Sequence, residues 1–433
     1  MDAQTSVTTD LQVTPTPLNP IGPSGATSAP HTIICKEAQR AFTEQYGGSL
    51  QAIVLTGSLA RDEATWVEQV NRRELLSDAE FLLIFHPTAA LPAALHLDAL
   101  RQNLEANLLQ RGIACHVGLS AAHLTYLRNL RPAIFAYELR VCGQVVYGDA
   151  QTLSLIPAFS PADLPLEDAW RLLCNRMIEQ LEVADQLLNR RDSLPRSVFY
   201  RTVKLYLDMA TSFLVFAGAY EPSYRQRAEK LAQLAAEEIS EDRLPFPLAK
   251  FAERVTACTE IKLNASRPSG PSAPAADSNF GFTFWEEAVE YARLLWRWEL
   301  ANLTGTKTPS PNGDLLSRWI QRQRLAQRLR GWLYVVRKQG WHRSWRNWPR
   351  WARHAWGASP RYRIYAAASE LFFQLPLLLQ APGQGPQAVD WDEIGSRLPV
   401  RWAPPDCPGS VPWRGLAADV VRNYHEFLED TKS

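Results

Sequence analysis

Two apolar runs, "IVLTGS" at 53–58 and "SDAEFLLIF" at 77–85, constrain this chain more than any other feature. Each reads as a buried strand, because a short unbroken run of aliphatic and aromatic side chains suits a strand covered on both faces. Each also carries residues that such a strand would not choose. The first ends in Gly57-Ser58, and the second opens with Asp78 and Glu80, two positions apart. On a strand, residues i and i+2 point to one face, so the two carboxylates project together. Leu82 and Ile84 continue that face, and Phe81, Leu83 and Phe85 mark the other.

Like charges side by side repel, so a purely structural role suits the pair poorly. A shared Mg²⁺ removes the repulsion, since this ion favours carboxylate oxygens together with substrate phosphates. The alternative is an acidic strand start at a solvent-exposed edge. Gly57-Ser58 lets the backbone approach a phosphate closely, and "LARDEATW" would then open a helix whose N–H groups face that anion. A lone Gly-Ser is otherwise an ordinary strand-to-helix turn. Strand, Gly-Ser, helix and Asp-x-Glu strand in succession form a narrower pattern than any of its parts.

The surroundings alternate helix and strand up to about residue 150. A helix is expected from Ile33 to Tyr46, stopped by Gly47-Gly48. "ALHLDALRQNLEANLLQRG" reads as an amphipathic helix closed by Gly112, and "IACHVGLS" as a strand. "YELRVCGQVVYGD" reads as two short strands about Gly143. After Pro161 the apolar spacing changes to three and four, which predicts long helices at about 166–188, 196–217, 223–238 and 284–302. Residues 315–339 and 361–380 also read as helical. The fold class expected is α+β: a small mixed β-sheet flanked by helices, followed by an all-α domain. The expected divisions are a disordered tail over 1–31, the sheet domain over 32–157, a helical domain over 158–303 and a basic, Trp-rich helical region over 304–433.

"TGSLARDEAT" followed by "LSDAEFLLIF" resembles the signature of the nucleotidyltransferase superfamily, the DNA polymerase β-like fold shared by antibiotic nucleotidyltransferases and small bacterial members. The resemblance covers about residues 33–150. More weakly, "KLYLDMATSFLVFAGAYEPSYRQR" resembles the helical partner domain of some members. It implies Mg²⁺-dependent transfer of a nucleoside monophosphate from a nucleoside triphosphate to an acceptor hydroxyl. Gly57 and Ser58 would hold the β- and γ-phosphates, and Asp78 and Glu80 would bind Mg²⁺. Arg61 would either reach a phosphate or pair with Asp62 or Glu63. The acceptor would be a small molecule or a macromolecule bound in the cleft between the two domains.

Two departures from the family pattern stand out. Nineteen residues separate Ser58 from Asp78, more than in minimal members, and "WVEQVNRRELL" reads as an extended helix or loop in that space. Active members also bring a third carboxylate from a later strand. Here the position that fits is His116, which is open to three readings: general base, metal-related, or non-catalytic. Glu138 is a candidate substitute acid. The rival to an enzyme is a non-catalytic member that binds nucleotide or a partner through the same fold.

Composition is ordinary for a globular chain, 46% apolar and 21% charged, and a net charge of +1 says nothing about partners. Its distribution does. No acidic residue lies between Asp314 and Glu370, against thirteen Lys and Arg and seven of the fifteen Trp. Arg with interleaved aromatics over 315–363 suits single-stranded nucleic acid or an anionic membrane surface, or else a helical region whose Trp residues pack on the body. The six scattered cysteines, without a CxxC pair, fit reduced thiols in the cytoplasm better than disulfides or zinc. The first 35 residues hold no Lys or Arg, so no signal peptide is expected, and no apolar run is long enough for a transmembrane segment.

Overall fold

The computed structural model describes residues 29–69, 72–189, 194–237, 244–264, 281–306, 312–340, 344–345, 347–380, 389–402 and 412–428. Most of the expected tail over 1–31 and Cys407 lie outside the described residues. The fold is mixed α+β. Helix α1 (Ala29–Tyr46) leads through a 3-10 turn at Gly47–Ser49 into β1 (Leu50–Thr56) and a single helical turn, α2 (Gly57–Ala60). Then come β2 (Trp66–Gln69), β3 (Arg72–Phe85), α3 (Ala94–Gln110), β4 (Ile113–His123), α4 (Leu124–Arg128), α5 (Ile134–Cys142) and β5 (Gln144–Gly148).

The long β3 is the spine of a five-stranded sheet. One edge of β3 pairs antiparallel with β2 near its start and with β1 further on, where Thr56 stands opposite Glu80. The other edge pairs in parallel with β4, from Arg73 opposite Ile113 to Phe85 opposite His123. β5 lies antiparallel outside β1. The parallel pair is interrupted between Leu75 and Ala79, whose partners are Cys115 and Val117. Leu76, Ser77 and Asp78 therefore stand against His116 alone, a bulge that re-aims the acidic segment.

The two faces of the sheet sort as strand periodicity requires. Ile53, Leu55, Phe81, Leu83, Phe85 and Val117 pack with Leu100, Leu104 and Leu108 of α3 and with Ile34, Ala38 and Phe42 of α1. Ala52, Val54, Leu82 and Ile84 pack on the opposite face with Leu124, Leu127 and Leu139. Both faces are apolar, so β1 and β3 run without interruption until the site begins.

Three expectations are corrected here. "LARDEATW" does not continue as a helix: after the one turn of α2 the chain reverses through Asp62, at φ 58, and enters β2. The described residues of "WVEQVNRRELL", 66–69 and 72–76, form no extended helix but supply β2 and the start of β3. "YELR" is not a strand. It belongs to α5, and only "QVVYG" after Gly143 is one. Its apolar spacing serves a helix laid across the sheet, with Ala136, Tyr137 and Leu139 buried.

The rest is helical: α6 (Leu166–Asn189), α7 (Arg196–Phe216), α8 (Tyr224–Ala236), α9 (Leu248–Asn264), α10 (Phe282–Thr304), α11 (Asn312–Gln321), α12 (Leu325–Gln339), α13 (Trp348–Gly357), α14 (Pro360–Gln380), α15 (Trp391–Arg397) and α16 (Pro412–Phe427). One continuous apolar core joins α6 to α16, with Trp170, Trp285, Trp296 and Trp413 fully buried. No helix among the described residues is long and apolar enough to cross a membrane.

Candidate active site

The site begins where β1 ends. Gly57 has φ 74, the left-handed region that glycine enters without a Cβ clash. That conformation turns the backbone toward β3, where a Cβ on Gly57 would lie only 2.7 Å from Oε2 of Glu80. Ser58 follows in α2, half-buried. On the other side of β3 the residue opposite Glu80 is Gly118, and a Cβ there would meet Glu80 Cγ at 3.4 Å. Glu80 thus lies in a slot between two glycines. Asp78 and Glu80 are both reached by solvent, whereas the intervening Ala79 is buried.

The Glu80 carboxyl is pushed above the usual carboxylate range. Enclosure by surrounding atoms is the main cause and the charge of Asp78 adds to it, while Arg61 and Lys204 oppose the shift. This is the electrostatic condition that a cation relieves. Among the described residues no group of three His, Cys, Asp or Glu side chains is arranged to hold a metal ion. Two carboxylates of this kind are a donor set that a divalent cation with further oxygen ligands could use, and Asp78 and Glu80 are the residues that could offer it here.

Arg61 takes the pairing alternative. Its Nη1 donates to Glu138 at 2.7 Å and its Nε to Glu63 at 3.2 Å, with only 7% of the side chain exposed. Glu138 also accepts from Tyr220 and Arg227, so α5 and α8 are tied together through one carboxylate. Burial alone would raise the Glu138 pKa, but the guanidiniums of Arg61 and Arg227 overcome this and hold it low. Glu138 is thus held as a counter-ion by Arg61 and Arg227, with Tyr220 donating to it as well. Glu63 caps α8: it accepts Ser223 Oγ at 2.6 Å and the Tyr224 N–H at 3.1 Å.

His116 is turned to a different neighbour. Its Nδ1 lies 3.0 Å from Glu105 Oε1 on α3, and its side chain is 61% exposed. The same oxygen accepts the Val117 N–H at 2.8 Å, so Glu105 satisfies the free edge of β4. His116 is not brought into a three-residue cluster with Asp78 and Glu80.

The helices contribute residues that the sequence pattern did not single out. Lys262 on α9 is almost fully buried and donates to Ser77 Oγ at 2.9 Å, beside Asp78. Ser77 Oγ also accepts the Thr65 N–H at 3.1 Å, and Thr65 Oγ1 donates to the Lys262 carbonyl at 3.1 Å. Burial, followed by repulsion from Lys204 and Arg61, lowers the Lys262 ammonium from the ordinary 10.5 to about 7. Tyr200 lies between Lys204, 5.2 Å from its ring centroid, and Lys262 at 5.9 Å. Lys204 itself is lowered by burial and then by Arg176, against the attraction of Glu179 and Asp78.

An open cavity of about 360 Å³ adjoins the bulge, lined by Leu76, Tyr200, Lys204, Tyr424 and His425 among others. A second, of about 390 Å³ between α6 and α16, contains none of the residues of the carboxylate slot. Lysine in the apolar face of "RTVKLYLDMA" was the one available signal for Lys204; α9 itself, which carries Lys262, was missed. No family model matches the chain, and no curated protein matches it.

Proposed function

We propose that this protein is a two-domain nucleotidyltransferase of the DNA polymerase β-like fold, with the sheet part as its catalytic domain and the helices from α6 onward as its partner. It would transfer a nucleoside monophosphate from a nucleoside triphosphate to an acceptor hydroxyl, releasing pyrophosphate. The observation that carries this reading is the slot in which Gly57 brings the turn after β1 against Glu80, with Asp78 on the bulge beside it.

Asp78 and Glu80 would hold Mg²⁺, which supplies charge neutralisation on the triphosphate. Gly57 and Ser58 would offer close backbone approach and a hydroxyl to the β- and γ-phosphates. Lys204, electrostatically coupled to Asp78, adds positive charge on the helical side of the slot. Lys262 and Ser77 fix the bulge from beneath. Five free cysteines among the described residues support a reducing, cytoplasmic setting. The basic region over 315–363 adds an anion-attracting surface, for a membrane or a nucleic acid.

A specific observation favours a second reading, a nucleotide-binding protein without turnover. The β4 residue opposite Glu80 is Gly118, His116 pairs with Glu105, and Glu138 is held by two arginines, so no third acid reaches the slot from these positions. Mg²⁺-dependent nucleotide binding and pyrophosphate release, measured across an acceptor panel with Asp78→Ala as control, separate the two. Turnover lost in Asp78→Ala supports the transferase. Binding without turnover in the parent protein leaves the second reading, and absence of Mg²⁺-dependent binding removes both.

A further inference from the structure

Half of the large hydrophobic side chains exposed among the described residues fall within 325–356: Leu325, Leu329, Leu333, Trp345, Trp348 and Trp356. They are ordered. Leu325, Leu329 and Leu333 are 45%, 46% and 56% exposed and recur every four residues, forming one stripe along α12. α12 is already seated on the body through Trp332, Val335 and Val336, so the leucines are not its core contact. α13 repeats the arrangement. Trp351 and Ala355 are buried, while Trp348, Ala352 and Trp356 lie outside at the same spacing. Arg328 donates to the Trp356 carbonyl at 2.6 Å, which sets the exposed end of α13 against α12.

The charges that α12 and α13 themselves carry are of one sign. Arg330 precedes Leu333 by three residues and Arg337 follows it by four, so both border the leucine stripe. Arg324 and Arg353 are also exposed. No acidic residue occurs from 315 to 369, and the remainder of the chain holds thirty-three Lys and Arg against forty-five Asp and Glu.

We infer that the outer face of α12 and α13 docks on an anionic lipid bilayer, with the protein lying on the membrane surface. Aliphatic side chains enter the acyl boundary, tryptophans sit at the headgroups, and arginines meet lipid phosphates and carboxylates. Three chemical arguments select lipid. Single-stranded nucleic acid is held by stacking on rings, and leucine has no π face to offer. Two copies of this face meeting symmetrically would bring arginine against arginine without a carboxylate between them. The acidic remainder of the chain is repelled by an anionic surface, which orients the basic face toward it. The inference is independent of the reaction proposed for the slot.

The test is cosedimentation of the full-length protein with vesicles of phosphatidylcholine alone and of phosphatidylcholine with phosphatidylserine, at low and high salt. Binding is expected to the anionic vesicles, weakened by salt, with a blue shift of tryptophan emission. Leu329→Ser with Leu333→Ser should weaken it at least about tenfold with an unchanged circular-dichroism spectrum, since both side chains are at the surface. Arg330→Gln with Arg337→Gln should weaken it several-fold and flatten its salt dependence. Asp78→Ala should bind as the parent does. No vesicle binding overturns the inference, as does binding indifferent to the leucine substitutions. Binding to a single-stranded oligonucleotide, or self-association lost in the leucine variant, with no vesicle binding in either case, assigns the face elsewhere and also overturns it.

Discussion

Glu80 Oε2 occupies the space that a Cβ on Gly57 would need, 2.7 Å from where that atom would be. The turn after β1 and the acidic strand β3 therefore meet through a position suited to glycine twice over, by space and by φ. Gly57→Ala should cost about 1–2 kcal/mol of stability from the left-handed backbone alone, and it should also push Glu80 out of its slot. Nucleotide affinity in Mg²⁺ is expected to fall at least about tenfold. Gly118→Ala, whose Cβ would come no closer to Glu80 than 3.4 Å, at Cγ, should be milder. Titration of both variants with a nucleoside triphosphate checks the order; a Gly57→Ala protein with parental affinity would count against the slot as the phosphate site.

Glu138 is the shared counter-ion of two buried arginines, Arg61 and Arg227. Glu138→Gln keeps the shape and removes the charge, leaving two guanidiniums buried without it. A loss of about 3–5 kcal/mol is expected, read as a lower urea midpoint. Because the folded carboxyl titrates below its unfolded value, the stability it contributes is present above the unfolded pKa and lost as pH falls through the folded one. The parent should therefore lose stability on acidification more steeply than Glu138→Gln. Parallel acid titrations would refute the counter-ion role.

How much of this was legible follows from the kind of signal each residue leaves. β1, β3, α1, α3 and the long α6 and α7 were readable because apolar runs and three-four spacing register burial directly. α5 was misread because "YELRVC" is short and its apolar residues also fit a strand; the β-sheet beneath it made it helical. The pairing of β2 with the start of β3 was missed because Glu68, Arg72, Arg73 and Glu74 leave no apolar alternation there to report a strand. Asp78 and Glu80 were visible as charges inside an apolar pattern. Lys262 was not, since its environment is assembled from Ser77, Thr65 and Tyr200, distant in sequence, and no local pattern reports such a meeting. His116 fitted a position in a family pattern, but its edge strand presents it to Glu105 on α3.

Lys262 makes the parent protein sensitive to alkaline pH in an unusual direction. Its folded pKa, about 7, lies below the ordinary 10.5, so the unfolded chain binds more protons between those values. Stability therefore rises with pH across that window, by an upper bound of roughly 5 kcal/mol for this group. Lys262→Met should remove the rise. It should also release Ser77, so nucleotide affinity should change even where stability improves. Denaturant unfolding at pH 6.5, 8 and 9.5 reads the slope, and an identical slope in parent and variant would contradict the assignment.

Glu299 has the opposite sign and lies away from the slot, which makes it an internal control. It is fully buried in α10, accepts a hydrogen bond from Ser212 and leaves Oε2 without a partner among the described residues. Burial raises its carboxyl from the ordinary 4.5 to about 8, against the Ser212 hydrogen bond. The folded state then binds more protons than the unfolded one between 4.5 and 8, so stability falls as pH rises through that range. Glu299→Gln keeps the Ser212 contact without the ionisation. It should match the parent at acidic pH and exceed it above pH 8, by at most roughly 5 kcal/mol. Thermal unfolding at pH 5 and pH 9 measures the difference. Because Glu299 is remote from Asp78 and Glu80, nucleotide binding by Glu299→Gln should stay parental at both pH values, whereas Lys262→Met should not. That contrast separates an effect on the slot from an effect on the fold.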